Sequence, residues 1–202
     1  MNIKYSQYWR KSGLKGKWGD IYLQRLNIYK PKNFLEIGVF CGVTALNTCH
    51  FLSKANDEEF SYTGIDLFGK DKNTNINEVE PDFLKDQNFS NPLKNFYYNI
   101  ILKEKLNSIE SVSKLLRKYK NNINLIQGDT NTVLKKIDLS TFDFIFVDGG
   151  HSYKTVKSDL NILYKYLKKK KAILLCDDYG KESFIPEVKK AMSGTGRTLY
   201  RL

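Results

Sequence analysis

Along this chain, short apolar runs alternate with stretches in which apolar residues recur every three or four positions. The runs fall at residues 34–39 (FLEIGV), 62–67 (YTGIDL), 123–127 (INLIQ), 142–147 (FDFIFV) and 172–176 (AILLC). Their length and their β-branched and aromatic content read as strands. Helical spacing holds at 21–29, where Ile21, Leu23, Leu26 and Ile28 lie near one another and Pro31 ends the pattern. It returns at 43–52, 100–119, 132–137, 152–167 and 185–192. A turn at 193–196 and one short strand within 197–202 close the chain. Strand–helix alternation through five strands predicts parallel pairing. The expected fold is an α/β, three-layer α/β/α Rossmann-like sandwich with a mostly parallel sheet, shortened at its C-terminal strands. With no internal repeat and no interdomain linker, residues 1–202 are expected to form one domain. Residues 1–30 would be an N-terminal arm and helix. The polar stretch 69–99 is too long for a plain connection and reads as a lid or substrate-shaping insertion.

The strand ends carry the chemistry. In open α/β sheets, ligands bind beyond the carboxyl ends of the strands. The run FDFIFV stops at Asp148 and opens into Gly-Gly-His-Ser-Tyr; AILLC stops at Asp177-Asp178-Tyr179-Gly180. Three carboxylates brought together repel unless something cationic sits among them. Oxygen donors suit a Mg²⁺-type ion. His151, three residues past Asp148, could take a hydroxyl proton near neutral pH. The plainer alternative is that His151 caps one helix and Asp177 and Asp178 cap the next.

The first strand leads into Glu36-Ile-Gly-Val-Phe-Cys-Gly42. Gly38 allows a sharp turn and close approach to a ligand, and Gly42 lets a helix start beside it. Phe40 stands where a dinucleotide fingerprint needs its second glycine. Glu36 would repel a pyrophosphate yet could accept hydrogen bonds from a cationic amino-acid ligand. Both argue for S-adenosylmethionine over NAD. Asp66, ending the second strand, is placed to grip ribose hydroxyls; a helix cap is the alternative. Asp129, ending the third, could meet an adenine edge or cap the following helix.

The formal charge is +11 and the pI about 9.4. Such a balance raises nucleic-acid binding as a possibility. The lysines are scattered, however, and the one dense run, Lys168 to Lys171, lies where a helix C-terminus favours positive charge. The hydrophobic share of 41% is that of ordinary globular proteins. No apolar run approaches the roughly 20 residues of a membrane span, so no membrane association is expected. The basic N-terminus has no apolar stretch after it and does not read as a secretory signal. Cys41, Cys49 and Cys176 lie in apolar settings without C-x-x-C spacing. They read as buried reduced thiols of a cytoplasmic protein.

Together these residues resemble a class I S-adenosylmethionine-dependent methyltransferase. More narrowly, they resemble the metal-dependent macrocin and mycinamicin O-methyltransferase-like group, the methyltransferase family 24 type. FLEIGVFCGVT resembles the family's first motif, YTGIDLF its ribose-binding strand and INLIQGDT its adenine-side motif, which adds Thr130 to the cofactor-binding set. FIFVDGGHSYKTVKSDL followed by ILLCDDYG carries the most specific part of the likeness. The resemblance implies Mg²⁺ ligation by Asp148, Asp177 and Asp178. It implies His151 as general base in some members, and the metal-bound aspartate itself in others.

The expected activity is therefore a metal-assisted O-methyltransferase acting on a hydroxyl of a small molecule, a sugar or a glycan. Adenosylmethionine would lie over Gly38 and Gly42, with Asp148 and His151 as the catalytic pair. Rival expectations are a nucleic-acid (RNA) methyltransferase and a non-catalytic binding module on the same fold. A homo-oligomer is also allowed, because a partner chain could complete the shortened sheet.

Overall fold

The computed structural model describes residues 4–69, 86–150, 152–167 and 172–177, and the backbone of 200–201. Five strands appear at or inside the predicted runs, apart from one residue gained at the start of β1 and one at the start of β2: β1 (Asn33–Ile37), β2 (Ser61–Asp66), β3 (Ile123–Gln127), β4 (Phe144–Val147) and β5 (Ile173–Cys176). A two-residue β6 (Tyr200–Arg201) follows. The spatial order is β3-β2-β1-β4-β5-β6, and every pairing among the described residues is parallel. The order reverses between β1 and β4, which makes the edge above those two strands the switch point where such sheets bind ligands.

Strand periodicity sorts the side chains into two layers. Phe34, Phe144, Phe146 and Tyr62 face one side. Helices α1 (Lys17–Tyr29), α2 (Val43–Ala55) and α4 (Ile109–Leu115) cover them with Tyr22, Leu26, Cys49, Leu52 and Val112. Leu35, Ile37, Ile145 and Val147 face the other. There α5 (Thr130–Val133) and α6 (Tyr153–Leu167) supply Val133, Val156, Leu160 and Leu163. The first layer is aromatic. Phe34 stacks between Tyr62 (6.0 Å, 7°) and Phe144 (5.2 Å, 14°), and Tyr22 meets Phe146 at 4.9 Å. Each such pair adds about 0.5–1.5 kcal/mol beyond its buried area.

The chain departs from the predicted pattern in several places, among them α5, which spans Thr130–Val133 where the spacing predicts 132–137. Helix α1 begins at Lys17, four residues early; its added first turn meets the arm, where Gly19 lies against the Tyr5 ring and Asp20 Oδ1 accepts from Tyr5 N at 3.0 Å. The stretch expected to be helical from residue 100 is not helical between 103 and 108. Helix α4 starts only at Ile109, where the Ser108 hydroxyl accepts from Ser111 N at 3.1 Å. That cap satisfies one of the backbone donors a helix start leaves unpaired. Within the expected insertion, α3 (Pro92–Asn95) runs into a wider turn over Phe96–Ile101. The predicted helix at 185–192 and turn at 193–196 lie outside the described residues. No helix among the described residues is long and apolar enough to cross a membrane.

Candidate functional site

The turn after β1 is built from left-handed residues. Gly38, Phe40 and Gly42 have φ of +91°, +53° and +75°. Gly38 has no substitute: a Cβ there would stand 2.4 Å from the Asp148 carbonyl oxygen. The turn after β1 and the end of β4 are thus in backbone contact. Gly42 caps α2 without a side-chain partner, so the positive end of a 13-residue helix opens onto the same edge.

Phe40 takes the left-handed conformation that costs an ordinary side chain roughly 1–2 kcal/mol. Asp66 holds it there. Its Oδ2 accepts from Phe40 N at 2.8 Å and its Oδ1 from Phe68 N at 2.7 Å. Phe68 is itself left-handed, at +48°. Burial raises the Asp66 pKa; hydrogen bonds from the backbone of Phe40, Phe68, Val39 and Leu67 pull against that. Asp66 thus staples the two turns together. A carboxylate has about four lone-pair positions, of which the Phe40 and Phe68 amides occupy two at hydrogen-bond distance.

Glu36 is fully buried in the aromatic layer. Its Oε2 accepts from the Tyr62 hydroxyl at 2.6 Å, and its Oε1 has no hydrogen-bond partner. Burial pushes its pKa up to about 8, against the Tyr62 hydrogen bond, with the Asp66 charge adding to the rise. A buried carboxyl oxygen without a protein partner, two residues before a glycine-rich turn, fits a ligand N–H donor at this edge.

Asp148 and Asp177 continue β4 and β5 side by side, since Val147 pairs with Cys176. Asp148 N donates to Ile37 O at 2.8 Å and Asp177 N to Val147 O at 3.0 Å. Neighbouring strands lie about 4.8 Å apart, so the backbones of Asp148 and Asp177 leave the sheet side by side. Among the described residues no group of three His, Cys, Asp or Glu side chains is close enough to hold a metal ion. Asp178 and His151 lie outside the described residues, so the expected triad is represented by two members.

Asp129 is a helix cap. Its side chain accepts from Asn131 N at 3.1 Å and from Asn131 Nδ2 at 3.1 Å, and Thr130 opens α5. The sequence marks residues 1–30 as an arm and helix, but not the hydrogen bonds by which the arm is tied down. The Tyr5 hydroxyl meets Thr44 Oγ1 at 2.8 Å and Ser12 Oγ at 3.0 Å. Ser6 and Asn47 exchange two hydrogen bonds, at 2.9 and 2.8 Å. Of the arm's aromatics, Tyr5 is buried, whereas Trp9 and Trp18 are exposed. No local pattern marks these residues, because their partners lie up to 41 positions away.

The parallel sheet, the switch-point turn and the carboxylates above it define a nucleotide-cofactor enzyme of the class I methyltransferase type. A family model described as a methyltransferase domain matches residues 35–179. The chain belongs to that family and is an S-adenosylmethionine-dependent methyltransferase. Solved structures share its fold. The SAH-bound methyltransferase PaMTH1 of Podospora anserina aligns at a TM-score of 0.56 and 17% identity, over 90% of this chain and 70% of that one. The O-methyltransferase TomG of Streptomyces achromogenes, in complex with SAM, aligns at 0.51 and 16%, over 92% and 71%. CalS11, a TDP-rhamnose 3'-O-methyltransferase of calicheamicin biosynthesis, aligns at 0.52 and 15%, over 86% and 67%. No curated protein matches the sequence.

Proposed function

We propose that the chain methylates a hydroxyl oxygen of a small molecule, most plausibly of a sugar or glycan. The observation that carries this reading is the contact between the Gly38 turn and Asp148, with Asp177 alongside. The seat of the methyl donor and the carboxylates that would serve the acceptor share one edge of the sheet. The O-methyltransferases TomG and CalS11, the latter acting on TDP-rhamnose, support the same direction.

In this reading adenosylmethionine lies over Gly38 to Gly42, and when bound it supplies an electrophilic methyl group on its sulfonium. Glu36 offers its unpaired Oε1 beneath the turn. Asp66 keeps the turn in its left-handed shape and offers its remaining lone pairs to the ribose. Asp148 and Asp177, with Asp178, would hold a divalent cation of the magnesium type, whose charge would lower the pKa of an acceptor hydroxyl. The donor set of hard oxygens suits that ion. His151, or Asp148 itself, takes the proton of the hydroxyl. Rate would come mainly from positioning and fixed charge.

Calorimetry with adenosylmethionine, with and without Mg²⁺, tests the reading. The expected result is cofactor binding by the wild type, with Mg²⁺ binding lost in Asp148→Asn and Asp177→Asn. A wild type that binds no adenosylmethionine removes the cofactor seat. Mg²⁺ binding unchanged in both variants removes the metal site. Acceptors with adjacent hydroxyls are expected to turn over, and analogues O-methylated at those positions are not.

A further inference from the structure

The N-terminal arm is tied at several points to the edge where the site lies. Tyr5 and Ser6 bind α2 through Thr44 and Asn47. Leu14 belongs to the same buried cluster as Val39 and Val43 of the cofactor turn. Gly13 passes the carboxylate itself: a Cβ there would stand 3.6 Å from Asp148 Oδ2. Between these points lies Arg10, whose side chain is 8% exposed. Its Nη2 donates to Leu106 O at 2.9 Å and to Ser111 Oγ at 2.6 Å. The Ser111 hydroxyl donates onward to Glu104 Oε1 at 2.5 Å.

The residues Arg10 grips belong to the segment that covers the turn. Leu106, with Phe89 and Tyr98, packs on Cys41, and Phe40 packs against the same cluster. Trp9 completes the join, with its ring 5.2 Å from Tyr97 and 5.9 Å from Tyr98. Tyr8 and Trp9 are both left-handed, at φ +47° and +59°. Two successive aromatic residues adopt that conformation only where surrounding contacts impose it. The buried guanidinium next to them supplies two such contacts, both from Nη2, while its Nε has no hydrogen-bond partner.

We propose that Arg10 is a positioning residue of the methyl-transfer site. It latches the arm to residues 104–111, so that Arg10 to Leu14 form one wall of the site beside Asp148 and the cofactor turn. The sheet edge supplies the floor and the carboxylates, and the arm supplies a side that the sheet cannot. The proposal rests on the site reading given above, because it assigns the arm to the cofactor and acceptor that reading places there.

The test compares the full-length wild type, Arg10→Gln, Arg10→Lys and Ser111→Ala. Adenosylmethionine and S-adenosylhomocysteine are titrated calorimetrically, and amide exchange is followed by mass spectrometry. In Arg10→Gln, protection is expected to fall together in residues 4–14 and 104–111 while β1, β2 and β4 keep theirs. Affinity for both ligands is expected to drop at least tenfold. Arg10→Lys keeps a buried cation that can reach one acceptor and should recover part of both effects. Ser111→Ala removes one partner without stranding the guanidinium. It should show a smaller change in the same direction, which serves if Arg10→Gln does not fold. Arg10→Gln with wild-type protection and ligand affinity within twofold overturns the proposal. Loss of protection with ligand affinity unchanged overturns it as well, leaving Arg10 a structural contact only. A wild type that binds neither ligand defeats the site reading instead, separately from the latch, which the exchange pattern still decides.

Discussion

Replacing Glu36 by Gln should remove a large pH dependence of stability. The carboxyl is fully buried, and its pKa rises from the ordinary 4.5 to about 8. Between those values the folded protein holds a proton that the unfolded chain has released. Stability supplied by this group is therefore fully present below pH 4.5 and is lost as pH rises through about 8. At about 1.36 kcal/mol per pH unit, the interval sets a loss of about 5 kcal/mol. Complete burial means that no solvent screening reduces it. A glutamine keeps an oxygen that can accept from Tyr62 and carries no charge, so it does not titrate. Urea unfolding of wild type and Glu36→Gln, followed by circular dichroism at half-unit steps from pH 4 to 9, measures the difference. The two curves should diverge steadily above pH 4.5, with the variant gaining on the wild type until the divergence levels off beyond pH 8. Curves that stay parallel within about 1 kcal/mol across that range would refute the buried, proton-holding carboxyl. Other titrating groups shift both proteins alike and cancel in the comparison.

Asp66→Ala should destabilise the protein by about 2–4 kcal/mol without any ligand present, because the backbone N–H groups of Phe40 and Phe68 lose their acceptor. Asp66→Asn, which keeps one acceptor oxygen, should cost about half as much. A urea midpoint unmoved in Asp66→Ala would leave Asp66 with a ligand role only. Asp129→Ala should cost about 1 kcal/mol as a lost helix cap, and Asp129→Ser, a cap of similar quality, should restore it. If Asp129→Ser recovers thermal stability but not adenosylmethionine affinity by calorimetry, Asp129 meets the cofactor as well as capping the helix.

Much of this fold is legible along the chain because its strands are local in composition. FLEI, YTGID, INLIQ, FIFV and ILLC sit at or within the predicted runs, and parallel pairing follows from the helices between them. Boundaries shifted where partners distant in sequence set the outcome. Helix α1 extends back to Lys17, where Gly19 and Asp20 meet Tyr5 of the arm. Helix α4, by contrast, starts late for a local reason, the Ser108 cap on Ser111 three residues on. The candidate site divides in the same way. Glycines and strand-terminal carboxylates carry a pattern, so Gly38, Gly42, Asp66 and Asp148 could be singled out from spacing alone. Arg10 could not: it is one basic residue among 33, and its partners lie 96 and 101 positions away.

The sequence by itself determined the alternation of elements, the switch-point edge and the residue types delivered to it. Apolar periodicity and the conformational freedom of glycine act over a few residues. The tertiary structure alone decided what those residues touch. It turned Asp66 towards two strained phenylalanine amides, sank Glu36 into an aromatic layer that holds its proton, and brought Asp177 beside Asp148 through strand register. It also laid a basic arm across the edge and pinned it with one buried guanidinium. Hydrogen bonds and desolvation depend on distance in space, which chain order does not record.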